Sequence, residues 1–179
     1  PNLVQTAEGG PALVHAGPFA NIAHGCSSIL ATRLGALHAD LVITEGGFGF
    51  DLGGEKFLDI KCRAAGVWPR VLVLVATLRA LKMHGGAPVK RAGDPNPEAL
   101  ARGMEHLEKH LETAAGFGLP AVVAINVFPS DTAEELSLVE EALRQRGVRM
   151  ARCEGFARGG EGALELAAAV ADAAEATDA

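Results

Sequence analysis

The sequence has few cysteines, and none of them pairs with another at short spacing. Its three cysteines, Cys26, Cys62 and Cys153, are far apart and form no C-x-x-C pair. An odd number of thiols cannot pair completely within one chain, and the spacing is not that of a zinc site. We therefore expect reduced thiols, a cytoplasmic protein and no metal site built on cysteine.

The sequence also has no long apolar run and no run of basic residues. No stretch approaches the roughly 20 consecutive apolar residues of a membrane span, and no basic segment followed by an apolar one marks a secretion signal. The formal net charge is -6. Without clustered Lys or Arg, the chain lacks the charge pattern of proteins that bind nucleic acid or an anionic membrane, so neither partner is expected.

Several catalytic and nucleotide-binding motifs are missing as well. No nucleophile elbow and no H-E-x-x-H occurs, which argues against covalent hydrolases and zinc proteases. In the glycine-rich residues 46–54, Leu52 stands where the dinucleotide fingerprint needs its third glycine. Gly49 and Gly54 have the Walker spacing, but Glu55 intervenes before Lys56. A dinucleotide-binding domain is therefore disfavoured, and no P-loop is present.

What the sequence does contain is the pattern of an α/β protein. The 179 residues are 49% hydrophobic, and we expect them to form a single α/β unit over residues 1–179. Short aliphatic runs alternate with longer segments of helical periodicity, as in a parallel sheet covered by helices on both faces. The predicted strands are residues 12–16, 41–44, 71–76, 121–127 and 148–153, and the predicted helices are residues 19–37, 55–65, 97–115, 133–146 and 162–176.

Helix start signals support two of these helices. Pro97 suits the first turn of the helix that follows it. Asp131 is predicted to cap the next helix, in a variant of the capping box that includes Glu134.

The chain begins at Pro1 rather than Met, and its first residues resemble the interior of a domain. We therefore expect it to be a piece of a longer protein.

Ligands of open α/β sheets bind beyond the carboxyl ends of the strands, so the segments after the strands are informative. Residues 15–25 turn into a helix whose free N–H groups suit an anion, or they form a plain turn. Residues 44–56 are dense in glycine and hold Phe48 and Phe50. Their glycines allow either close approach to a ligand covered by a ring, or a surface turn with both rings in the core.

The later segments place cations and aromatic rings at the same edge. Arg79, Lys82 and His84 follow the third predicted strand, where they suit phosphate or carboxylate groups, or form a solvated helix end. Phe128 and Phe156 follow the fourth and fifth strands. These two rings either clamp a planar ligand or close the top of the core.

The residues in these segments resemble one known family. The matching motifs are HAGPFANIAHG at residues 15–25, GFG, DLG and EKF within residues 47–57, VATLRALKMHGG at residues 75–86, FPSDT at residues 128–132 and GGEG at residues 159–162. In this order and over nearly the whole chain, they resemble formate-tetrahydrofolate ligases (formyltetrahydrofolate synthetases).

The resemblance implies a fold and a reaction. The fold would be part of a three-layer parallel sheet like that of P-loop NTPases. ATP would phosphorylate formate to formyl phosphate, and N10 of tetrahydrofolate would attack it to give 10-formyltetrahydrofolate. The family uses ATP with Mg2+ and forms tetramers, while binding of a monovalent cation stays open. Its P-loop would precede Pro1, so we expect this chain alone to be inactive.

The resemblance also implies roles for individual residues. Phe128 would stack on one face of the folate pterin, and Phe156, which stands where the family commonly has Trp, on the other. The residues that would contact the nucleotide or formyl phosphate are Phe48, Gly49 and Asn21. The residues that match family positions whose catalytic roles stay open are Glu45, Asp51, Lys82 and His84.

One alternative of a different class stays open beside the enzyme. The chain would then be a non-catalytic folate- or nucleotide-binding module that needs a partner chain for the missing phosphate-binding loop.

Overall fold

The computed structural model of the chain describes residues 1–15 and 26–177. They form two compact units, Pro1–Trp68 and Pro69–Ala179. The single α/β unit expected over residues 1–179 stays a prediction. No helix in the described part of the chain is both long enough and apolar enough to cross a membrane.

The second unit is built on a parallel sheet of three strands. Strands β3 (Leu72–Ala76) and β5 (Arg149–Cys153) pair on either side of the central strand β4 (Ala121–Asn126). The side chains of β4 from Val122 to Ile125 are buried, as expected for a parallel strand covered on both faces. All three strands lie within one residue of their predicted bounds, which confirms the α/β class.

Helices flank this sheet, and three of them correspond to the predicted helices 97–115, 133–146 and 162–176, whereas the short helices Leu78–His84 and Gly155–Arg158 were not predicted. Leu100, Met104 and Leu107 recur at spacings of three and four on the helix Pro97–Gly116, and all three are buried. The helices of this unit are α3 (Leu78–His84), α4 (Pro97–Gly116), α5 (Ala133–Gln145), α6 (Gly155–Arg158) and α7 (Leu164–Ala176), with 3-10 turns at Val89–Arg91 and Gly159–Ala163.

The residue that caps α5 differs from the prediction by one position. The Thr132 side chain accepts a hydrogen bond from the Glu135 N–H, so Thr132 rather than Asp131 is the N-cap. Asp131 instead closes a turn with Phe128. The sequence offers two capping residues in succession, and the turn after β4 takes the first.

Two glycines bring α3 and α4 into backbone contact. A Cβ atom added to Gly85 would overlap the backbone of Ala99, and one added to Gly103 would overlap the backbone of Leu81. The Arg102 guanidinium also donates to the Gly85 carbonyl oxygen at 2.9 Å. The position of α3, and of the residues it carries, is therefore set by direct packing on α4.

The first unit contains an antiparallel hairpin and a long helical segment. The strand Pro11–Val14 overlaps the predicted strand at residues 12–16, but its partner Asn2–Gln5 was not predicted. Predicted helix 55–65 belongs to a helical run that begins at Phe50 and has wide, π-type turns. The elements are β1 (Asn2–Gln5), β2 (Pro11–Val14), α1 (Ile29–His38), the π-helical segments Phe50–Gly54 and Phe57–Cys62, and α2 (Arg63–Ala65).

The predicted strand at residues 41–44 was wrong. This segment is irregular and pairs with no described strand. Leu41 is 62% exposed and Ile43 is 85% exposed. Its aliphatic run suggested a strand, but a strand also requires a neighbour to receive its hydrogen bonds. The predicted helix 19–37 is confirmed only in its later part, since residues 16–25 lie outside the described residues.

Candidate functional site

The carboxyl ends of the three parallel strands place three loops at one edge of the second unit. The Val127 N–H donates to the Cys153 carbonyl oxygen at 3.0 Å, so the pairing of β4 and β5 continues into the loops that follow them. The segments beginning at Thr77, Val127 and Glu154 therefore start from a common edge. This is the edge at which open α/β sheets bind ligands.

Phe128 is held in a tight turn at this edge. Its backbone N–H donates to Asp131 Oδ2 at 2.8 Å, and the Asp131 N–H donates to the Phe128 carbonyl oxygen at 2.9 Å. The side chain and the backbone of Asp131 thus both hold the turn by hydrogen bonds to the backbone of Phe128. The turn presents the Phe128 ring half-buried rather than inside the core.

Arg79 covers one face of the Phe128 ring. The guanidinium carbon lies 4.7 Å from the ring centroid, and Nη2 donates to Ser130 Oγ at 3.1 Å. A cation over an aromatic face is attracted by the negative potential of the ring. A planar ligand that stacks on Phe128 would therefore use the opposite face of the ring.

Lys82 lies on the same helix as Arg79 but is completely buried. Its ammonium contacts Glu135 Oε1 at 3.2 Å and Oε2 at 3.3 Å, and it donates to the Asp94 carbonyl oxygen at 2.9 Å. Glu135 in turn accepts from the Asn96 N–H at 2.8 Å and from the Thr132 hydroxyl at 3.3 Å. We call these five residues the buried polar cluster.

The buried polar cluster keeps Glu135 ionised. Burial raises the pKa of its carboxyl, but the Asn96 N–H and the Lys82 ammonium outweigh burial and hold the pKa below its usual range. Lys82 donates to Glu135 Oε2 and to the Asp94 carbonyl oxygen within the cluster, and its side chain is completely buried, so it is not presented to a substrate. The catalytic role of Lys82 stays a prediction, and the geometry is that of a structural ion pair joining α3 to α5.

His84 lies away from the carboxyl edge. It comes five residues after Arg79 on α3, which corresponds to about 7.5 Å along the helix axis. Its ring stacks on His106 at 3.7 Å, and His106 meets His110 edge-on at 4.8 Å. His84 and His106 line a shallow cavity of about 320 Å³ together with Arg102, Gly103, Glu105 and Lys109.

Phe156 is presented differently from Phe128. It lies on the single turn of α6, and its side chain is fully exposed. The loop behind it is closed by a hydrogen bond of 2.9 Å from the Glu154 N–H to the Gly162 carbonyl oxygen. Phe156 therefore does not close the core of this unit, and its ring is available at the surface.

The glycine-rich segment of the first unit packs largely on itself. A Cβ atom on Gly53 would overlap the backbone of Gly47, and one on Gly54 would overlap the ring of Phe50. Phe50 is buried, whereas Phe48 is 67% exposed. These glycines allow one stretch of the chain to pass close to another, so their number alone does not indicate a ligand.

Phe48 has the one left-handed backbone among the described non-glycine residues, with φ of 64°. A bulky side chain is strained in this conformation, and such strain concentrates at functional sites. Glu45, Gly49 and Asp51 lie exposed on the same segment, and their roles stay predictions. Asn21, the remaining predicted contact, lies outside the described residues.

The sequence analysis missed Lys61 in the first unit. Its side chain is 2% exposed, and its Nζ atom has no hydrogen-bond partner among the described residues. It lies 4.7 Å from the centroid of the Phe57 ring. Burial lowers the pKa of this ammonium, and the thiols of Cys26 and Cys62 oppose that shift only in part.

The sequence analysis also missed Glu135, although a signal for it was present. Thr132 and Glu135 have the spacing of a capping box, and recognising it would have placed a carboxylate beside the start of α5. No comparable spacing pointed to Lys61. The described residues contain no group of three or more His, Cys, Asp or Glu side chains suited to a metal ion.

Comparison with known proteins extends over the whole chain. The model of the formate–tetrahydrofolate ligase family matches residues 1–179. A formate–tetrahydrofolate ligase of Myxococcus xanthus (strain DK1622) is 64% identical over 179 residues. The alignment covers 100% of this chain and 32% of that protein, so the chain spans about a third of the length of this relative.

Proposed function

Because the chain belongs to the formate–tetrahydrofolate ligase family, we propose that the protein to which it belongs ligates formate to tetrahydrofolate with ATP. The product would be 10-formyltetrahydrofolate, an intermediate of one-carbon metabolism. The observation that carries this proposal is the match along all 179 residues, at 64% identity to the ligase from Myxococcus xanthus. The chain spans 32% of that relative, so its share of the reaction has to be argued from its own residues.

The chain's main contribution would be to bind the pterin of tetrahydrofolate. Phe128 is fixed at the carboxyl edge by Asp131 and has Arg79 over one ring face, while Phe156 exposes its ring on the loop after the neighbouring strand. Offset stacking of aromatic rings contributes about 0.5 to 1.5 kcal/mol per pair beyond burial. A pterin between two such rings is oriented as well as bound, since stacking fixes the plane in which its N10 side arm leaves the ring.

A second contribution would come from the glycine-rich segment of the first unit. Phe48, Gly49 and Asn21 are proposed to contact the nucleotide or formyl phosphate, with Glu45 and Asp51 nearby in sequence. The strained backbone of Phe48 supports this proposal, because it holds a large apolar ring in solvent without a packing reason in the described residues.

The proposed reaction proceeds in two transfers. Formate attacks the terminal phosphorus of ATP to give formyl phosphate and ADP, and N10 of tetrahydrofolate then attacks the formyl carbon and displaces phosphate. Catalysis of such transfers depends mainly on positioning and on stabilising the developing charge. Magnesium would neutralise charge on the phosphates, and we propose no ligand for it in this chain, since no described cluster suits a metal ion.

The remaining proposals concern the whole protein. We propose that the three-stranded sheet is part of a larger three-layer sheet like that of P-loop NTPases, with the phosphate-binding loop outside this chain. We also propose a cytoplasmic homo-oligomer, a tetramer as in the family, and an inactive chain when residues 1–179 are isolated. Glu45, Asp51, Lys82 and His84 are retained as catalytic candidates, and a monovalent cation as a possible ligand.

Calorimetric titration with tetrahydrofolate tests the proposed pterin site. We expect saturable binding by the protein as its natural gene encodes it, and a large loss of affinity in Phe128→Ala and in Phe156→Ala. Phe117→Ala is the matched control, because Phe117 is also half-buried but follows α4 and precedes β4, at the amino edge of the sheet.

The outcomes separate the candidate functions. Affinity unchanged in both ring variants would show that the pterin binds elsewhere. Binding without formation of 10-formyltetrahydrofolate, with ATP and formate present, would instead support a folate-binding module that lacks ligase activity.

A further inference from the structure

Arg79 has two contacts with the loop that carries Phe128. Its guanidinium carbon lies 4.7 Å from the Phe128 ring centroid, and its Nη2 atom donates to Ser130 Oγ at 3.1 Å. One contact is with the ring itself, and the other is with a residue two positions later. Together they fix the guanidinium over the ring rather than merely near it.

The helix that carries Arg79 is firmly anchored. Thr77 caps it by accepting from the Ala80 N–H at 3.0 Å, and Leu78 is completely buried. Lys82, one turn after Arg79, is locked into the buried polar cluster. The Cα atom of Arg79 therefore has little freedom, and the position of its side chain is set by the fold.

The connection before α4 also passes close to the guanidinium. A Cβ atom placed on Gly93 would lie 3.7 Å from Arg79 Nη2 and 3.9 Å from Ser130 Oγ. The next residue, Asp94, is held by its carbonyl oxygen to the buried Lys82. Gly93 thus lies close to both the guanidinium and the Ser130 hydroxyl.

We propose that Arg79 is a positioning residue for the folate pterin, acting through Phe128. It covers one face of the Phe128 ring and holds the ring in one orientation, so that the pterin stacks on the opposite face. This inference rests on the proposed function, in which Phe128 binds the pterin. A ring held before the ligand arrives loses less conformational entropy on binding, which increases affinity without any contact between Arg79 and the ligand.

The size of the expected effect follows from the exposure of the contact. An exposed cation–π contact corresponds to about a two- to fivefold change in an equilibrium constant. We therefore expect Arg79→Met to raise the Kd and KM for tetrahydrofolate by about this factor. The KM values for ATP and formate, and kcat at saturating tetrahydrofolate, should be unchanged, which a general loss of structure would not produce.

Two further variants keep the test decisive if Arg79→Met folds poorly. Arg79→Lys retains a cation but loses the planar fork, so we expect an intermediate affinity for tetrahydrofolate. Ser130→Ala removes only the second contact of the guanidinium and should weaken binding less than Arg79→Met. Arg144→Met is the matched control, because Arg144 is an exposed arginine paired with Glu141 on α5, outside the proposed site.

A double-variant cycle with Phe128→Leu decides whether Arg79 acts through the ring. We expect Arg79→Met to have no further effect on tetrahydrofolate binding once Phe128 is Leu, since the ring it positions is gone. An equal effect in both backgrounds would overturn the positioning role. If Phe128→Leu weakens binding and Arg79→Met does not, the role of Arg79 is wrong and the pterin site stands. If neither variant affects binding, the proposed pterin site is itself wrong.

Discussion

Each of the two units contains a buried lysine, but only one of these lysines has hydrogen-bond partners in the described residues. Lys82 in the second unit and Lys61 in the first are both almost completely buried, at 0% and 2% exposure. The Lys82 ammonium donates to the Asp94 carbonyl oxygen and to Glu135 Oε2, and forms an ion pair with Glu135. Lys61 has no hydrogen-bond partner among the described residues and lies beside the Phe57 ring. Burial alone therefore does not tell what a charged residue does.

The two buried lysines differ in whether the unit that contains them also supplies a hydrogen-bond acceptor. An ion pair with all its hydrogen bonds made contributes to a fixed arrangement of the elements it joins, here α3, α5 and the segment before α4. A buried ammonium without an acceptor is a net cost to the folded state. The second unit thus pairs its buried lysine with a carboxylate, whereas the buried lysine of the first unit has no hydrogen-bond partner within the described residues.

The largest effect is expected for Lys82→Met, which removes one side of this comparison. It leaves the Glu135 carboxylate buried without its cation, and breaking a buried pair in this way costs about 3 to 5 kcal/mol of unfolding free energy. Urea unfolding measures the loss, and amide hydrogen exchange should show it in α3 and α5. The double variant Lys82→Met, Glu135→Leu should lose less, because no buried charge remains. A loss below about 1 kcal/mol in the single variant would contradict the structural role of the pair.

The same ion pair predicts a dependence on acidity. The folded pKa of Glu135 lies below its usual value of 4.5, so the unfolded chain binds the proton first as the pH falls. The contribution of Glu135 is complete above pH 4.5 and is lost as the pH falls through the lowered pKa. Unfolding measured across this range should show a smaller loss in Glu135→Gln, which cannot titrate. Parallel curves for the two proteins would argue against this sign.

A smaller effect of opposite sign is expected for Lys61→Met. Removing an uncompensated buried polar group should raise the unfolding free energy by about 1 to 3 kcal/mol. The folded pKa of Lys61 is lowered from 10.5, so the stability of the unmodified protein rises with pH between the lowered pKa and 10.5, and the advantage of Met should shrink there. Lys109→Met, at an exposed lysine paired with Glu112, is the control and should change little. Destabilisation by Lys61→Met would show that the ammonium has an acceptor after all.

The smallest effect is expected for Phe48→Gly, which tests a second cost to the first unit. Glycine adopts the left-handed backbone of this position without strain, and the gain is about 0.5 to 1 kcal/mol after the greater flexibility of the unfolded glycine is counted. Thermal unfolding measures it. Gly66→Ala makes the reverse change at a position with φ of 67° and should be destabilising by a similar amount. If Phe48 serves the proposed nucleotide site, the more stable variant should bind ATP more weakly.

The sequence predicted the second unit well because its elements are locally determined. β4 is an uninterrupted aliphatic strand between Pro120 and the turn at Phe128, and α4 has a start signal and a regular apolar face. Residues 41–44 have a comparable aliphatic run but no neighbouring strand among the described residues, and pairing cannot be deduced from one segment. An aliphatic run alone is therefore not sufficient to predict a strand, because the segment also needs a neighbouring strand with which to pair.

The candidate site was predicted in its residues but not in its geometry. The motifs placed Arg79 and Phe128 at the same edge, yet their stacking depends on the turn closed by Asp131 and on the position of α3. Arg79 and Lys82 are both cations that follow the same strand, so the sequence does not distinguish them. The fold buries Lys82 in the core and places Arg79 over the Phe128 ring. The glycines near Phe48 suggested a ligand, but at position 53 a side chain would overlap the backbone of Gly47, so glycine is needed there for packing.

The contact of Gly85 and Gly103 limits how this protein can change by mutation. What a new side chain would meet at either position is main-chain carbonyl and amide, which no substitution elsewhere can make smaller. A second-site suppressor therefore has nothing to act on, and helices α3 and α4 cannot slide past each other by one residue to make room. We therefore expect substitutions to be tolerated on the outer faces of the two helices and not at these two glycines of their shared face.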